Sequence, residues 1–358
     1  MKVLALIEPN RIAWIDKEKP IAGPYDAIIR PTAIAPCSSD VHTAFEGGAQ
    51  KPSGFVLGHE ALGEVVEIGN LVQDFKVGDK VVVPAGTPNW RSRGIQENNF
   101  KHSDGPFSSL KLSGTRDGVF AEFFMVNDAD NNMALLPEDV SVDDAIMAVD
   151  MVTTGFSGAE MADIKFGDCV CVIGIGPVGL MAIAGAKLRG AGRILAVGTR
   201  PNCVALAKEY GATDIISYKE GNIAKQVLAL TGGRGTDATI IAGGDAETFG
   251  LAIAMTRFGG GNIANINYFT GSEYLPIPTL AFGRGMAGKT IRGDLCEGGR
   301  VRMERILNMI RYGRIEPGKM ITHKYYGLHK LEEAFYVMRD KPRDLIKPVV
   351  YIDWSKEK

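Results

Sequence analysis

Up to about residue 150, apolar and polar positions alternate in short runs, AIIRPTAIAP, GEVVEIG, DKVVVPAG and FAEFFMVND, broken by Gly, Pro and Asp. Period-two alternation closed by turn residues predicts strands and hence a small, mostly β unit. From Cys169 onward the rhythm changes. Apolar CVCVIGIG leads into helical PVGLMAIAGAKLRGA, RILAVGTR leads into NCVALAKEYGA, and DATIIAGG and NIANINYF continue the series. Strands alternating with helices predict a doubly wound parallel sheet, so the fold class is α/β with a mostly β partner. Beyond residue 296, RVRMERILNMIRYG and KLEEAFYVMRDK read as helices and KPVVYID as a strand. The polar, aperiodic stretch 88–116 reads as a long loop on the β unit. The first residues, MKVLALIEPNRIAWIDKEKP, alternate and meet Glu8 early, as strands do and a signal peptide does not.

A chain of 358 residues is long enough for two cores. Its formal charge of -2, spread without blocks, gives no electrostatic reason to expect nucleic acid or an anionic membrane. No apolar run is long enough to span a bilayer. The cysteines at 37, 169, 171, 203 and 296 are odd in number and form no CxxC pair, which argues against a disulfide framework and fits a reducing cytoplasm.

Gly174-Ile175-Gly176-Pro177-Val178-Gly179 follows an apolar run and opens a helical pattern, the context that gives G-x-G-x-x-G its meaning. The first glycine allows the tight turn, the second lets backbone approach a pyrophosphate, and the third allows close helix packing on the strand. The next strand, Arg193 to Val197, ends where an NAD site places an acid for the ribose 2′-hydroxyl. Gly198, Thr199 and Arg200 stand there instead. A small residue, a hydroxyl and a guanidinium suit the 2′-phosphate of NADP.

Gly58-His59-Glu60 is followed by Gly63, Gly69 and Val72, and Cys37, Ser39 and His42 lie upstream. Cys37, His59 and a carboxylate can give zinc the mixed S, N and O donors of an open catalytic site. Together with the dinucleotide motif, G-H-E-x-x-G-x5-G-x2-V and Cys-x-Ser-x-x-His resemble the medium-chain zinc alcohol dehydrogenase family. DMVTTGF, VIGIGPVGLMAIAGAKLRGAGRI, YGATDII and KPRDLIKPVV resemble its bacterial and protist NADP-dependent secondary alcohol dehydrogenase branch.

The resemblance implies a GroES-like catalytic domain over residues 1–152, a Rossmann domain over 153–295 and a return segment over 296–358. It implies Asp150 as the third zinc ligand, Glu60 as a further candidate that retreats when substrate arrives, and Ser39 and His42 as a proton relay. Tyr218 would lie beside the adenine ribose phosphate. Ala49, Ala85, Gly86, Leu110, Tyr268, Leu295 and Cys296 would line the substrate pocket, with Ala49, Gly86 and Leu110 smaller than in relatives. A larger pocket open to aryl ketones is the expectation, with Trp90 and Phe107 as alternative fillers. Residues 80–120 contain no cysteine, so one catalytic zinc per subunit and no structural zinc are expected, in a homotetramer acting on small alcohols and ketones. A metal-free quinone or enoyl reductase shares the fold but lacks the ligand residues. A non-catalytic NADP-binding protein is the rival from another class.

Overall fold

The alternating run AIIRPTAI forms the strand Ala27–Ile34, which organises a seven-stranded, mostly antiparallel sheet. Its order is Ile321–Tyr326, Lys347–Tyr351, Ala27–Ile34, Ala61–Ile68, Lys80–Val83 and Ala134–Leu135, with Phe124–Val126 also pairing Ala27–Ile34. Pro31 has no N–H to give the ladder, and the register against Ala61–Ile68 shifts between Pro31 and Ala33. A smaller sheet joins Arg11–Asp16, Lys2–Glu8 and Phe55–Val56. Between the two lies an apolar core that includes Leu4, Ile29, Val56, Phe120, Phe124 and Phe335. This computed structural model describes residues 1–46 and 51–357.

The chain divides into two units, Met1–Thr153 with Glu297–Lys358, and Thr154–Cys296. The second is a six-stranded parallel sheet in the order Asp214–Ile216, Arg193–Val197, Cys169–Ile173, Ala238–Ile241, Asn262–Asn265, Thr290–Gly293. Numbered along the chain, that order is 3-2-1-4-5-6, whose reversal beside the first strand opens a crevice at the strands' carboxyl ends. Gly174 has φ +89°, and the helix Pro177–Leu188 starts directly after the turn. A Cβ on Gly179 would lie 1.7 Å from the Gly174 carbonyl oxygen, so the third glycine allows the helix its close approach.

Three elements depart from the pattern reading. Ile321–Tyr326 is a strand, although its inward positions carry His323 and Tyr325, which an apolar template passes over. Thr290–Gly293 is an exposed edge strand with no apolar alternation to reveal it. Within the expected loop 88–116, Arg93–Gln96 forms one helical turn, packed at Gly94 against Ser103.

Gly179→Ala is expected to lower the melting temperature by several degrees, because overpacking costs about 1–3 kcal/mol. Circular-dichroism melting checks it, and an unchanged melt would contradict the close approach.

Candidate metal and nucleotide sites

Cys37 caps the helix Ser38–Phe45. Its backbone N–H donates to Asp40 Oδ2 at 3.0 Å, while its Sγ lies 3.7 Å from Asp150 Oδ2. His59 follows Gly58, whose φ is +90° and where a Cβ would sit 2.1 Å from the Phe120 ring. Only glycine lets the chain pass that buried ring and present the imidazole. Asp150 lies in a π-helical segment, Ala148–Val152, between the helices Val142–Met147 and Thr153–Met161. The Val149 carbonyl in that wider turn accepts from the Ala85 N–H at 2.9 Å.

One donor atom from each of Cys37, His59, Glu60 and Asp150 falls within 4.8 Å of the others. His59 Nε2 lies 3.5 Å from Asp150 Oδ2 and 4.0 Å from Glu60 Oε1. Zinc bonds of about 2.0–2.3 Å in a tetrahedron demand ligand separations of roughly 3.3–3.7 Å. Cys37 Sγ and His59 Nε2 each stand at such a separation from Asp150 Oδ2, so the donor set fits a zinc ion.

Asp40, itself buried, faces His59 Nδ1 at 3.3 Å and accepts from the Gly58 N–H at 3.0 Å. A carboxylate on Nδ1 holds the proton there and turns the Nε2 lone pair toward the other donors. Burial opposes charge on His59, but the Asp40 carboxylate and hydrogen bonds to Asp150, Asp40 and Cys37 outweigh it and raise the imidazole well above its ordinary range. Glu60 Oε1 accepts from Lys347 Nζ at 2.6 Å, both side chains being 0% exposed, and Glu60 Oε2 has no hydrogen-bond partner. Burial pushes the Glu60 carboxyl up to about 7, with Lys347 pulling it down, Asp150 adding to the rise and His59 opposing it. Burial works against charge on Lys347 too, yet the Glu60, Cys37 and Asp150 charges hold it protonated. Counting thiolate, two carboxylates and this ammonium leaves a local charge of −2, which a divalent cation would cancel.

Ser39 Oγ lies 3.4 Å from His59 Nε2, and His42 Nδ1 pairs with Glu46 one turn along the same helix. In the second unit, Arg200 caps the helix Pro201–Tyr210 and its Nη2 lies 3.9 Å from where a Gly176 Cβ would be. Thr199 Oγ1 donates to Tyr218 OH at 2.9 Å. Ile175 is buried, and Pro177 and Val178 open the helix whose N-cap is Gly176. The turn and the end of the second strand thus bring Gly174 to Gly179, Gly198, Thr199, Arg200 and Tyr218 to one end of the sheet.

Of the pocket residues, Ala85 and Gly86 are buried in the first unit and Leu110 is partly buried. Ala49 lies outside the described residues. The second unit holds Tyr268, half exposed, with Leu295 partly buried and Cys296 buried. Trp90 is anchored: its Nε1 donates to Asn132 Oδ1 at 2.8 Å and its ring stacks on Phe100. Phe107 is exposed at φ +58°. A Cβ on Gly298 would lie 1.9 Å from the Gly86 oxygen, so tight backbone packing surrounds position 86.

Residues 23–138 match the alcohol dehydrogenase GroES-like domain and residues 177–309 the zinc-binding dehydrogenase domain. The chain is 56% identical to an NADP-dependent isopropanol dehydrogenase of Thermoanaerobacter brockii, with 98% of this chain and all of that protein covered. The chain belongs to the zinc-type medium-chain alcohol dehydrogenase family. Another alcohol dehydrogenase, an NADP-dependent isopropanol dehydrogenase of Entamoeba histolytica, is 52% identical over all of this chain and 97% of its own. A zinc-dependent alcohol dehydrogenase 2 from Streptococcus pneumonia superposes with a TM-score of 0.88 at 26% identity, covering 99% of each chain. The fold of this alcohol dehydrogenase is therefore a GroES-like, mostly β unit with a Rossmann-like parallel sheet, as the sequence implied.

Two residues of the alcohol dehydrogenase's metal cluster escaped the sequence reading. Asp40 could have been found from its place three residues after the helix cap Cys37. Lys347 sits 287 residues from Glu60 in a run that reads as an ordinary terminal strand.

Removing one partner of a buried ion pair costs about 3–5 kcal/mol. Lys347→Met is therefore expected to lower the stability of the metal-free protein by about that much, and Lys347→Met/Glu60→Gln to recover most of the loss. Chemical denaturation of the four proteins in the cycle checks it.

Proposed function

We propose that this alcohol dehydrogenase interconverts small secondary alcohols and ketones with NADP(H), using one catalytic zinc per subunit held by Cys37, His59 and Asp150. The clustering of mixed sulfur, nitrogen and oxygen donors in one corner, Glu60 and Asp150 buried and Cys37 and His59 partly so, carries the proposal. When bound there, zinc stabilises the alkoxide form of an alcohol and polarises a ketone carbonyl. NADP, when bound, is the hydride acceptor, and its 2′-phosphate would be received by Arg200 and by the Thr199 and Tyr218 hydroxyls.

The protein's own groups supply orientation and proton transfer. Asp40 fixes the tautomer of His59. Glu60 would be a further donor to the metal, and Lys347, already paired with it, would keep its charge balanced when it is not bound there. Ser39 passes the substrate proton outward, and His42 carries it toward solvent. Names of the isopropanol dehydrogenase relatives support the substrate class.

We also propose that no structural zinc is held in residues 80–120. In this lobe Asp104 is bonded by Lys111, by Asn89 and through its own N–H by Ser108, cross-links that hold the loop without a metal. A homotetramer in the cytoplasm completes the proposal. The edge strand Thr290–Gly293 and the exposed Tyr274, Leu280 and Met286 offer a surface for a second copy, and the five cysteines are free thiols. Among the described residues no helix is long and apolar enough to cross a membrane.

Metal analysis is expected to return one zinc per chain, and Cys37→Ser to lose both the metal and activity on 2-propanol. Two zincs per chain, or a fully active Cys37→Ser, would overturn the assignment.

The slimmer Leu110 and an anchored Trp90 support acceptance of aryl ketones. The parent is expected to oxidise 1-phenylethanol, and Leu110→Trp to lower kcat/KM for it relative to 2-propanol by about tenfold or more. A parent inactive on the aryl alcohol, or an unchanged ratio, would end the enlarged-pocket reading.

A further inference from the structure

We infer that Ile175, the second residue of the glycine turn, determines cofactor choice by occupying the volume that a ribose-binding carboxylate at position 198 would need. The inference rests on the reading that Gly198, Thr199, Arg200 and Tyr218 receive the 2′-phosphate of NADP.

The turn after the first strand and the end of the second run side by side. Ile173 and Val197 are partners in the ladder, and the Gly174 N–H donates to the Val197 carbonyl at 3.1 Å. One residue further along each chain, Ile175 meets Gly198. A Cβ built on Gly198 would lie 2.1 Å from Ile175 Cγ1, 2.5 Å from its Cδ1 and 3.4 Å from its Cβ. Gly198 is not among the residues with positive φ, so its backbone accepts an L side chain and the obstacle is steric alone. Isoleucine is branched at Cβ and therefore stiff about χ1, and Ile175 is buried, so it does not swing aside freely.

An NAD site places an acid at the end of the second strand, where its carboxylate accepts from the ribose 2′-hydroxyl. This site lacks the acid and also lacks space for one. Selection against NAD is therefore held by two residues that follow different strands, and changing position 198 alone pushes the new carboxylate and Ile175 apart. Relief requires a smaller residue at 175. Arg200 and the Thr199–Tyr218 hydroxyl pair act separately, by attraction toward the phosphate.

The experiment titrates NAD and NADP against the full-length parent, Gly198→Asp, Ile175→Ala, Ile175→Ala/Gly198→Asp and Arg200→Ala, with a thermal melt of each. Gly198→Asp alone is expected to weaken NADP, gain little affinity for NAD and melt lower than the parent. The double variant is expected to bind NAD about ten- to a hundred-fold more tightly than Gly198→Asp, the worth of one hydrogen bond to a charged group. If Gly198→Asp alone binds NAD as tightly as the double variant, or if neither gains, the inference is overturned. Should Gly198→Asp fail to fold, Gly198→Ala adds the Cβ without charge. Its loss of melting temperature is expected to be largely restored by Ile175→Ala, and strictly additive losses would overturn the inference. If Arg200→Ala binds NADP as tightly as the parent, the underlying cofactor reading fails, and the melting cycle at 175 and 198 still reports on the steric coupling.

Discussion

Cys37, Glu60 and Asp150 crowd one corner of the first unit, the two carboxylates buried and Cys37 partly so, and like charges so placed repel each other strongly where water is excluded. The Lys347 ammonium, fully enclosed against Glu60, makes that crowding tolerable and leaves a residual charge that suits a divalent cation. Much of the first unit's local structure follows from this constraint. The helix cap at Cys37, the glycine turn before His59 and the π-helical segment around Asp150 each bring one donor to a place where ordinary helix or strand continuation would not put it.

On the proposed reading, the second unit would meet its anion by different means. Backbone geometry at the glycine turn, the helix start at Pro177 and a guanidinium over Gly176 concentrate positive potential without burying a lysine. A phosphate arrives with its own charge and leaves again, so an exposed, pre-aligned set of donors serves it better than an enclosed counter-ion.

Most of this was legible in the sequence because motifs carry local geometry. G-x-G-x-x-G dictates a turn, and Gly58 before His59 dictates another, so the donors on those turns could be named in advance. Asp150 came from family resemblance, since the π turn that aims it leaves no mark on apolar periodicity. Lys347 was invisible for a related reason. A lysine beginning the strand Lys347–Tyr351 looks like a solvated strand end, and only its buried pairing with Glu60 reveals that it points into the interior. The strand Ile321–Tyr326 was missed because His323 and Tyr325 occupy inward positions after Ile321. Gly198 reads from the sequence as a small residue that suits a phosphate, and what the spacing leaves out is that Ile175 stands where a side chain at 198 would go. Sequence spacing reports which residues are near along the chain, and it is silent about close packing between strands.

The 287-residue separation between Glu60 and Lys347 bears on the order of events during synthesis. Residues Thr154–Cys296 form a contiguous unit and possess their whole sheet before the strand Lys347–Tyr351 has been made. The first unit has no such independence: Cys37, Glu60 and Asp150 are translated early and wait for a counter-charge supplied only after the second unit has been made. A ribosome-bound chain lacking that last strand would carry Glu60 in a half-built sheet with no ammonium beside it. Assembly of the metal corner is thereby tied to synthesis of the strand Lys347–Tyr351, which brings the ammonium to Glu60.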